Sequence, residues 1–228
     1  PFSAYDGVVE AFVKSYELLG ITPPELPVYW ESASSGAYYQ PCFSDIDCEG
    51  WGLHLPRPAE LYRDVILHEY CHFIQNGMDF GMGAVGDGRH AGGDLRTQEL
   101  LLPDGRIEVI RRTDQQAMNL AFSEGWATVF SVGAQLGDFG HPRSGNTVYE
   151  DQFGLQEDLE TLTDLHDQGP GQFYEEQTMG LLWDIFDNNN HPVDNNDALS
   201  DVSPRFEKIG QITLRYRPYT IQDFWNGW

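Results

Sequence analysis

The chain has 228 residues, of which 40% are hydrophobic and 13% aromatic, a globular composition that suits one large domain or two small ones. Its 36 acidic and 13 basic residues give a net charge of −23, which argues against binding to nucleic acid or to anionic membrane surfaces. No apolar run is long enough to cross a bilayer, so we expect no membrane span.

Residues 6–19 predict an amphipathic helix that ends at Gly20. Three strands are predicted next, at residues 28–31, 37–39 and 51–55. Because the chain begins at Pro1, we expect it to be a processed or trimmed piece, which can be one domain of a longer chain.

Two of the three cysteines, Cys42 and Cys48, flank a short loop between the second and third predicted strands. They could form a disulfide, but the spacing alone leaves the pairing open. A disulfide would place the protein in an oxidising compartment, and we expect a secreted or cell-surface location. Cys71 is interpreted as a small buried apolar residue.

A helix predicted from about Pro58 to Gly77 contains the most informative pattern of the chain: residues 68–72 read H-E-Y-C-H. Positions i and i+4 lie one turn apart on the same face of a helix. His68 and His72 can therefore reach one ion, and Glu69 can reach a water molecule on that ion. The spacing thus offers two zinc ligands and a general base.

Residues 79–98 are predicted to form a long loop, followed by a β-hairpin that ends near residue 110. A capping box of Thr113 and Gln116 opens a second long helix, about 114–136. Residues 138–170 are expected to be irregular. A third long helix is predicted at about 172–186, and a tail containing a short helix and a strand-like segment, residues 212–216, follows it.

The second long helix carries a candidate third ligand. Glu124 lies on the same predicted face as Ala117, Leu120 and Ala121, which are apolar. A buried carboxylate is costly unless it is paired with a cation or hydrogen-bonded, so we interpret Glu124 as a metal ligand.

These patches resemble a known superfamily. The H-E-Y-C-H segment followed by Glu124-Gly125-Trp126-Ala127 is similar to the gluzincin zinc metallopeptidases, and the segment Leu182–Phe186 with Glu176 is distantly similar to fungalysin-like peptidases. The resemblance covers roughly residues 60–190. It implies zinc held by His68, His72 and Glu124, with Glu69 as the general base that activates a zinc-bound water.

Two features depart from that pattern. Fifty-one residues separate His72 from Glu124, an unusually long gap that we attribute to an insertion at 79–112. Fungalysins place an aspartate soon after the ligand glutamate, whereas this chain has Thr128 there, so the residues that support the ligands must differ.

The resemblance also implies a donor for the transition-state oxyanion, a His or Tyr from a later helix. Tyr174 is preferred because it leads the third long helix, and His191 is the alternative. By analogy with zincin folds, the strand at 51–55 is expected to be the sheet edge that receives an extended substrate. The Asn- and Asp-rich segment 187–197 could bind calcium, although Asx turns explain its composition equally well.

Together these features predict an α+β fold of the zincin-like type, with a small N-terminal sheet over the active-site helix and a mainly helical C-terminal lobe. We expect a single catalytic domain over residues 1–228, with an N-terminal lobe of about 1–78 and a C-terminal lobe of about 113–228. The expected function is zinc-dependent hydrolysis of a peptide or protein substrate. Two alternatives stay open: a zinc hydrolase of a non-peptide substrate, and a zincin-fold binding domain of a larger surface protein.

Overall fold

The computed structural model describes residues 2–42, 50–77, 88–102, 104–135, 147–159, 162, 170–186 and 206–228. These residues form a mixture of helices and small sheets, which confirms the predicted α+β class. The finer expectation, a zincin-like arrangement, stays a prediction.

The α-helices of the described residues are α1 (Phe2–Leu19), α2 (Arg63–Gly77), α3 (Asp114–Gln135), α4 (Glu175–Phe186), α5 (Phe206–Tyr216) and α6 (Ile221–Gly227). The first helix begins before the predicted residue 6 but ends where expected, because Gly20 adopts φ +66° and so leaves the helical conformation.

The strands are β1 (Val28–Trp30), β2 (Tyr38–Gln40), β3 (Gly52–Leu55), β4 (Thr97–Leu101), β5 (Ile107–Arg111), β6 (Val148–Glu150) and β7 (Gln156–Asp158). The first three form one sheet in the order β1-β3-β2, with β1 parallel and β2 antiparallel to β3. The prediction that residues 51–55 form a free edge is therefore wrong, since β3 is paired on both sides. Strands β1 and β2 form the two edges, and α2 packs against β2 and β3.

Helix α2 is buried almost all round, as its apolar sequence predicts. Its start differs from the prediction. Residues Ala59–Leu61 form a 3-10 turn, and the α-helix begins only at Arg63. Leu61 is 70% exposed, so it does not belong to the face shared by the two histidines.

The second long helix is confirmed together with its capping box. In α3 the Thr113 backbone N–H donates to Gln116 Oε1 at 3.0 Å, and the Gln116 backbone N–H donates to Thr113 Oγ1 at 3.3 Å. The helix is buried along nearly its whole length and packs against both α2 and α4. The predicted hairpin is also present as β4 and β5, paired antiparallel.

Two predictions for the second half of the chain are wrong. The segment expected to be irregular contains the antiparallel pair β6–β7. The strand-like residues 212–216 belong to α5, because buried Ile209, Ile212 and Thr213 follow helical spacing on a helix that packs against α1. Tertiary packing has overridden the β-propensity of this segment.

The largest hydrophobic core lies between α2, α3 and α4 and also takes in residues of α1, α5 and α6. Its largest fully buried side chains include Trp126 and Trp183. Within the described parts of the chain, no helix combines the length and apolarity needed to traverse a membrane. Cys42 is disulfide-bonded, while its predicted partner Cys48 lies outside the described residues.

Candidate metal centre

The three predicted ligands converge on one point. Glu124 Oε2 lies 3.0 Å from His68 Nε2 and 3.0 Å from His72 Nε2, and the two Nε2 atoms are 3.1 Å apart. Helix α2 contributes both histidines from one face, and α3 contributes the glutamate from the opposite side. This cluster could hold a metal ion.

Close packing of the helices sets this geometry. Gly125 follows Glu124, and a Cβ atom at this position would lie 3.0 Å from the backbone nitrogen of Met179 in α4 and 3.2 Å from Thr178 Cβ. Glycine therefore lets α3 and α4 approach each other beside the ligand. Glu124 itself is only 7% exposed, as expected for a carboxylate on the inward face of α3.

Each histidine is oriented by a second residue. His68 Nδ1 lies 3.0 Å from Thr128 Oγ1, at the position where the sequence departs from the fungalysin pattern. His72 Nδ1 lies 2.9 Å from Gln75 Oε1, and Gln75 Nε2 donates to the carbonyl of Ser123 at 2.8 Å. The Ser123 contact fixes the Gln75 amide so that its oxygen accepts from His72 Nδ1, and in the neutral imidazole the lone pair is then on Nε2.

Glu69 lies beside the ligands and is held by the sheet. The backbone N–H of Tyr39, in β2, donates to Glu69 Oε2 at 3.0 Å. This hydrogen bond ties the predicted general base to an edge strand of the sheet. The outer edge of β2 consequently faces the site.

The histidines and carboxylates of the site change one another's pKa values. Burial lowers the pKa of His72, but the carboxylates of Glu124 and Glu69 outweigh it and raise that pKa to about 9. Burial raises the pKa of Glu124, but His72, His90 and His68 outweigh it and hold that pKa well below its usual range. The metal-free centre thus pairs a protonated His72 with an ionised Glu124, and a metal ion would bind by taking the place of the imidazole proton.

Two further residues complete a second cluster that sequence reasoning missed. His90 Nε2 lies 3.2 Å from Glu175 Oε2 and 4.0 Å from Glu124 Oε2. His90, Glu124 and Glu175 also form a group that could hold a metal ion. His90 comes from the long loop before β4, where no periodic pattern marks it, and Glu175 opens α4.

Tyr149 is another residue that sequence reasoning missed. It lies in β6, is buried, and its ring centroid is 5.7 Å from that of His68. Burial raises the pKa of its phenol well above the ordinary value, and the carboxylates of Glu69 and Glu175 add to the shift. The Tyr149 hydroxyl therefore remains protonated near the metal ligands.

Among the described residues, the remaining candidates make other contacts. Tyr174 precedes α4 and packs in a separate apolar cluster with Leu95, Ala117 and Phe173. His191 and the Asn- and Asp-rich segment are outside the described residues. His54 stacks between Tyr29 and Tyr38 in the sheet. Cys71 is a buried free thiol, as expected.

Comparisons of the chain with protein-family models, with curated proteins and with solved structures find no match. The function is therefore argued from the geometry and chemistry of the site.

Proposed function

We propose that this protein is a zinc-dependent metallopeptidase of the gluzincin type, with a zincin-like fold. The observation that carries the proposal is the approach of His68 Nε2, His72 Nε2 and Glu124 Oε2 to within 3.1 Å of one another, directly beside Glu69. Two imidazoles and one carboxylate are a donor set that zinc uses at catalytic centres.

The donor set fits a metal ion rather than a structural hydrogen-bond network. The Nε2 atoms of both histidines face one carboxylate oxygen, and their Nδ1 atoms are held by Thr128 and Gln75. Outer partners of this kind are typical of metal-binding histidines. When bound, zinc would supply the acidification of a water molecule and the polarisation of the scissile carbonyl.

The chain's own residues would supply the proton chemistry. Glu69 accepts the proton of the attacking water and passes it to the leaving amine, while its hydrogen bond to the Tyr39 N–H keeps the carboxylate in place. Tyr149, whose ring centroid lies 5.7 Å from that of His68, is the preferred donor for the developing oxyanion, and the predicted Tyr174 is the alternative. A peptide paired with the outer edge of β2 would pass beside Glu69.

An oxidising location fits this proposal. Cys42 is disulfide-bonded, and disulfides persist chiefly in secreted and cell-surface proteins. We accordingly propose a secreted or surface-exposed peptidase.

The test is cleavage of a mixed peptide library by zinc-loaded protein, compared with the Glu69→Gln variant. We expect the variant to retain stoichiometric zinc and to lose activity by about 10²–10⁴-fold, because only the proton acceptor is removed. Glu99→Gln, an exposed carboxylate in β4, is the matched control and should behave as the wild type.

Each other outcome contradicts a defined part of the proposal. Absence of stoichiometric zinc from the wild type would remove every metal-dependent function. Bound zinc without cleavage of any peptide would favour a non-peptide hydrolase or a binding domain. Full activity in Glu69→Gln would mean that another residue is the base.

A further inference from the structure

The second cluster, His90 with Glu124 and Glu175, has the features of a metal site in its own right. One ligand atom of each residue lies within 4.8 Å of the other two, and the cluster shares Glu124 with the first site. The side chains are largely sheltered, with side-chain exposures of 24% for His90, 10% for Glu124 and 17% for Glu175. This shelter distinguishes the cluster from an exposed group of acidic residues.

The hydrogen bonding of His90 directs its Nε2 atom toward the two carboxylates. His90 Nδ1 lies 2.9 Å from the carbonyl oxygen of Gly88, which can only accept, so Nδ1 carries the proton. In the neutral imidazole the lone pair is then on Nε2, which faces Glu175 and Glu124. His72 shows the same arrangement, with Nδ1 held by an oxygen and Nε2 directed at Glu124.

Buried side chains fix the backbone on both sides of His90. Arg112, 7% exposed, donates to the carbonyls of Arg89 and Leu95 at 2.5 and 2.8 Å. Gln98, 5% exposed, accepts from the Ala91 N–H at 2.9 Å and donates to the Ala91 carbonyl at 2.5 Å. These hydrogen bonds therefore hold the loop backbone in one conformation and fix the position of His90.

The same loop is fastened to the helix that carries Glu175. The Gly93 N–H donates to Glu176 Oε1 at 3.2 Å, and the Leu95 N–H donates to the carbonyl of Phe173 at 3.1 Å. These contacts hold His90 against the start of α4, so the ligands from three separate segments meet in one place.

We propose that the protein binds a second divalent transition-metal ion on His90 and Glu175, with Glu124 shared between the two ions. The proposal rests on the first metal centre described above and adds a second to it. The mixed nitrogen and oxygen donor set suits zinc, cobalt or manganese. The second ion binds more weakly than the first, because it has one imidazole instead of two and meets a carboxylate that already serves the first ion.

The experiment is a zinc titration of metal-stripped, full-length protein by calorimetry, with metal analysis after equilibration against a zinc buffer. The wild type should bind two equivalents, the second at least tenfold more weakly. His90→Ala and Glu175→Gln should each bind one equivalent with the affinity of the first phase unchanged. The control Glu99→Gln should bind two, and circular dichroism of each variant reports whether it is folded.

The alternatives have separate signatures. One equivalent in the wild type, unaffected by His90→Ala or Glu175→Gln, overturns the second site and leaves the proposed peptidase intact. Two equivalents in the wild type and in both variants also overturn it, because the second ion then binds elsewhere on the acidic surface. No zinc at all defeats the peptidase proposal together with this one.

Discussion

Both histidine ligands of the first metal centre depend on a second side chain for their orientation. Thr128 meets Nδ1 of His68, and Gln75, itself fixed by Ser123, meets Nδ1 of His72. The Thr128 hydroxyl lies where the proposed resemblance to fungalysins would place an aspartate. An uncharged partner raises the basicity of the imidazole less than a carboxylate would, yet it fixes the ring equally well.

Removal of the Thr128 hydroxyl should weaken the metal centre without dismantling it. Thr128→Val keeps the volume of a buried side chain but leaves His68 Nδ1 without its partner. We expect metal affinity to fall by about 10–100-fold, measured by competition with a chelator. Thr213→Val is the matched control, because Thr213 is also buried and its hydroxyl donates to the carbonyl of Ile209 within α5. Unchanged affinity in Thr128→Val would show that His68 needs no outer partner.

Local sequence was sufficient to predict four of the residues at the site. His68, Glu69 and His72 follow from helical spacing, and Glu124 follows from a charge on an apolar stripe. His90 lies in a loop, where no periodicity exists, and only the folded chain brings it near Glu124. Residues that meet through tertiary contacts leave no such signal in a single sequence.

Length and strong patterning made the two central helices predictable. Helices α2 and α3 were both predicted, although α2 begins five residues after Pro58. Strands β6 and β7 have three residues each and lie in an acidic segment, and they were missed, whereas β1 and β2, of the same length, were predicted. The hairpin is instead defined by tertiary contacts, including the hydrogen bond from the Glu150 N–H to Asp64 Oδ2 in the first turn of α2.

This hairpin brings Tyr149 to the site, and its role can be separated from that of Tyr174. Tyr149→Phe removes only a hydroxyl beside His68, so it should lower kcat by about 10²-fold or more while KM and bound zinc stay unchanged. Tyr174→Phe, in the cluster with Leu95 and Phe173, is the comparison. We expect its activity to be near that of the wild type. A larger loss of kcat in Tyr174→Phe than in Tyr149→Phe would identify Tyr174 as the oxyanion donor, as the sequence predicts.

At the scale of the whole molecule, the metal centre lies between the two helices around which the main core forms. Helix α2 gives two ligands and α3 gives one, and α3 also packs on α4. A net charge of −23 adds self-repulsion to the folded state, and the carboxylates near the site add to it locally. Bound cations would relieve that repulsion where it is strongest and would also join α2 to α3.

Metal removal should therefore lower the stability of the entire fold. A ligand present at about 1,000 times its dissociation constant stabilises a folded protein by about 4 kcal/mol. For a chain of this size, that corresponds to a fall in Tm of about 8–16 °C when a chelator strips the metal. Thermal unfolding followed by circular dichroism measures the fall in Tm, and His72→Ala, which lacks one ligand of the first centre, should show a much smaller fall. Calcium added at the same concentration separates two causes of the stabilisation, relief of charge repulsion and coordination by the histidines. If calcium restored the Tm as well as zinc does, relief of charge repulsion would explain the stabilisation. If zinc alone restored the Tm, the stabilisation would come from coordination by the histidines of α2, because calcium binds nitrogen ligands poorly.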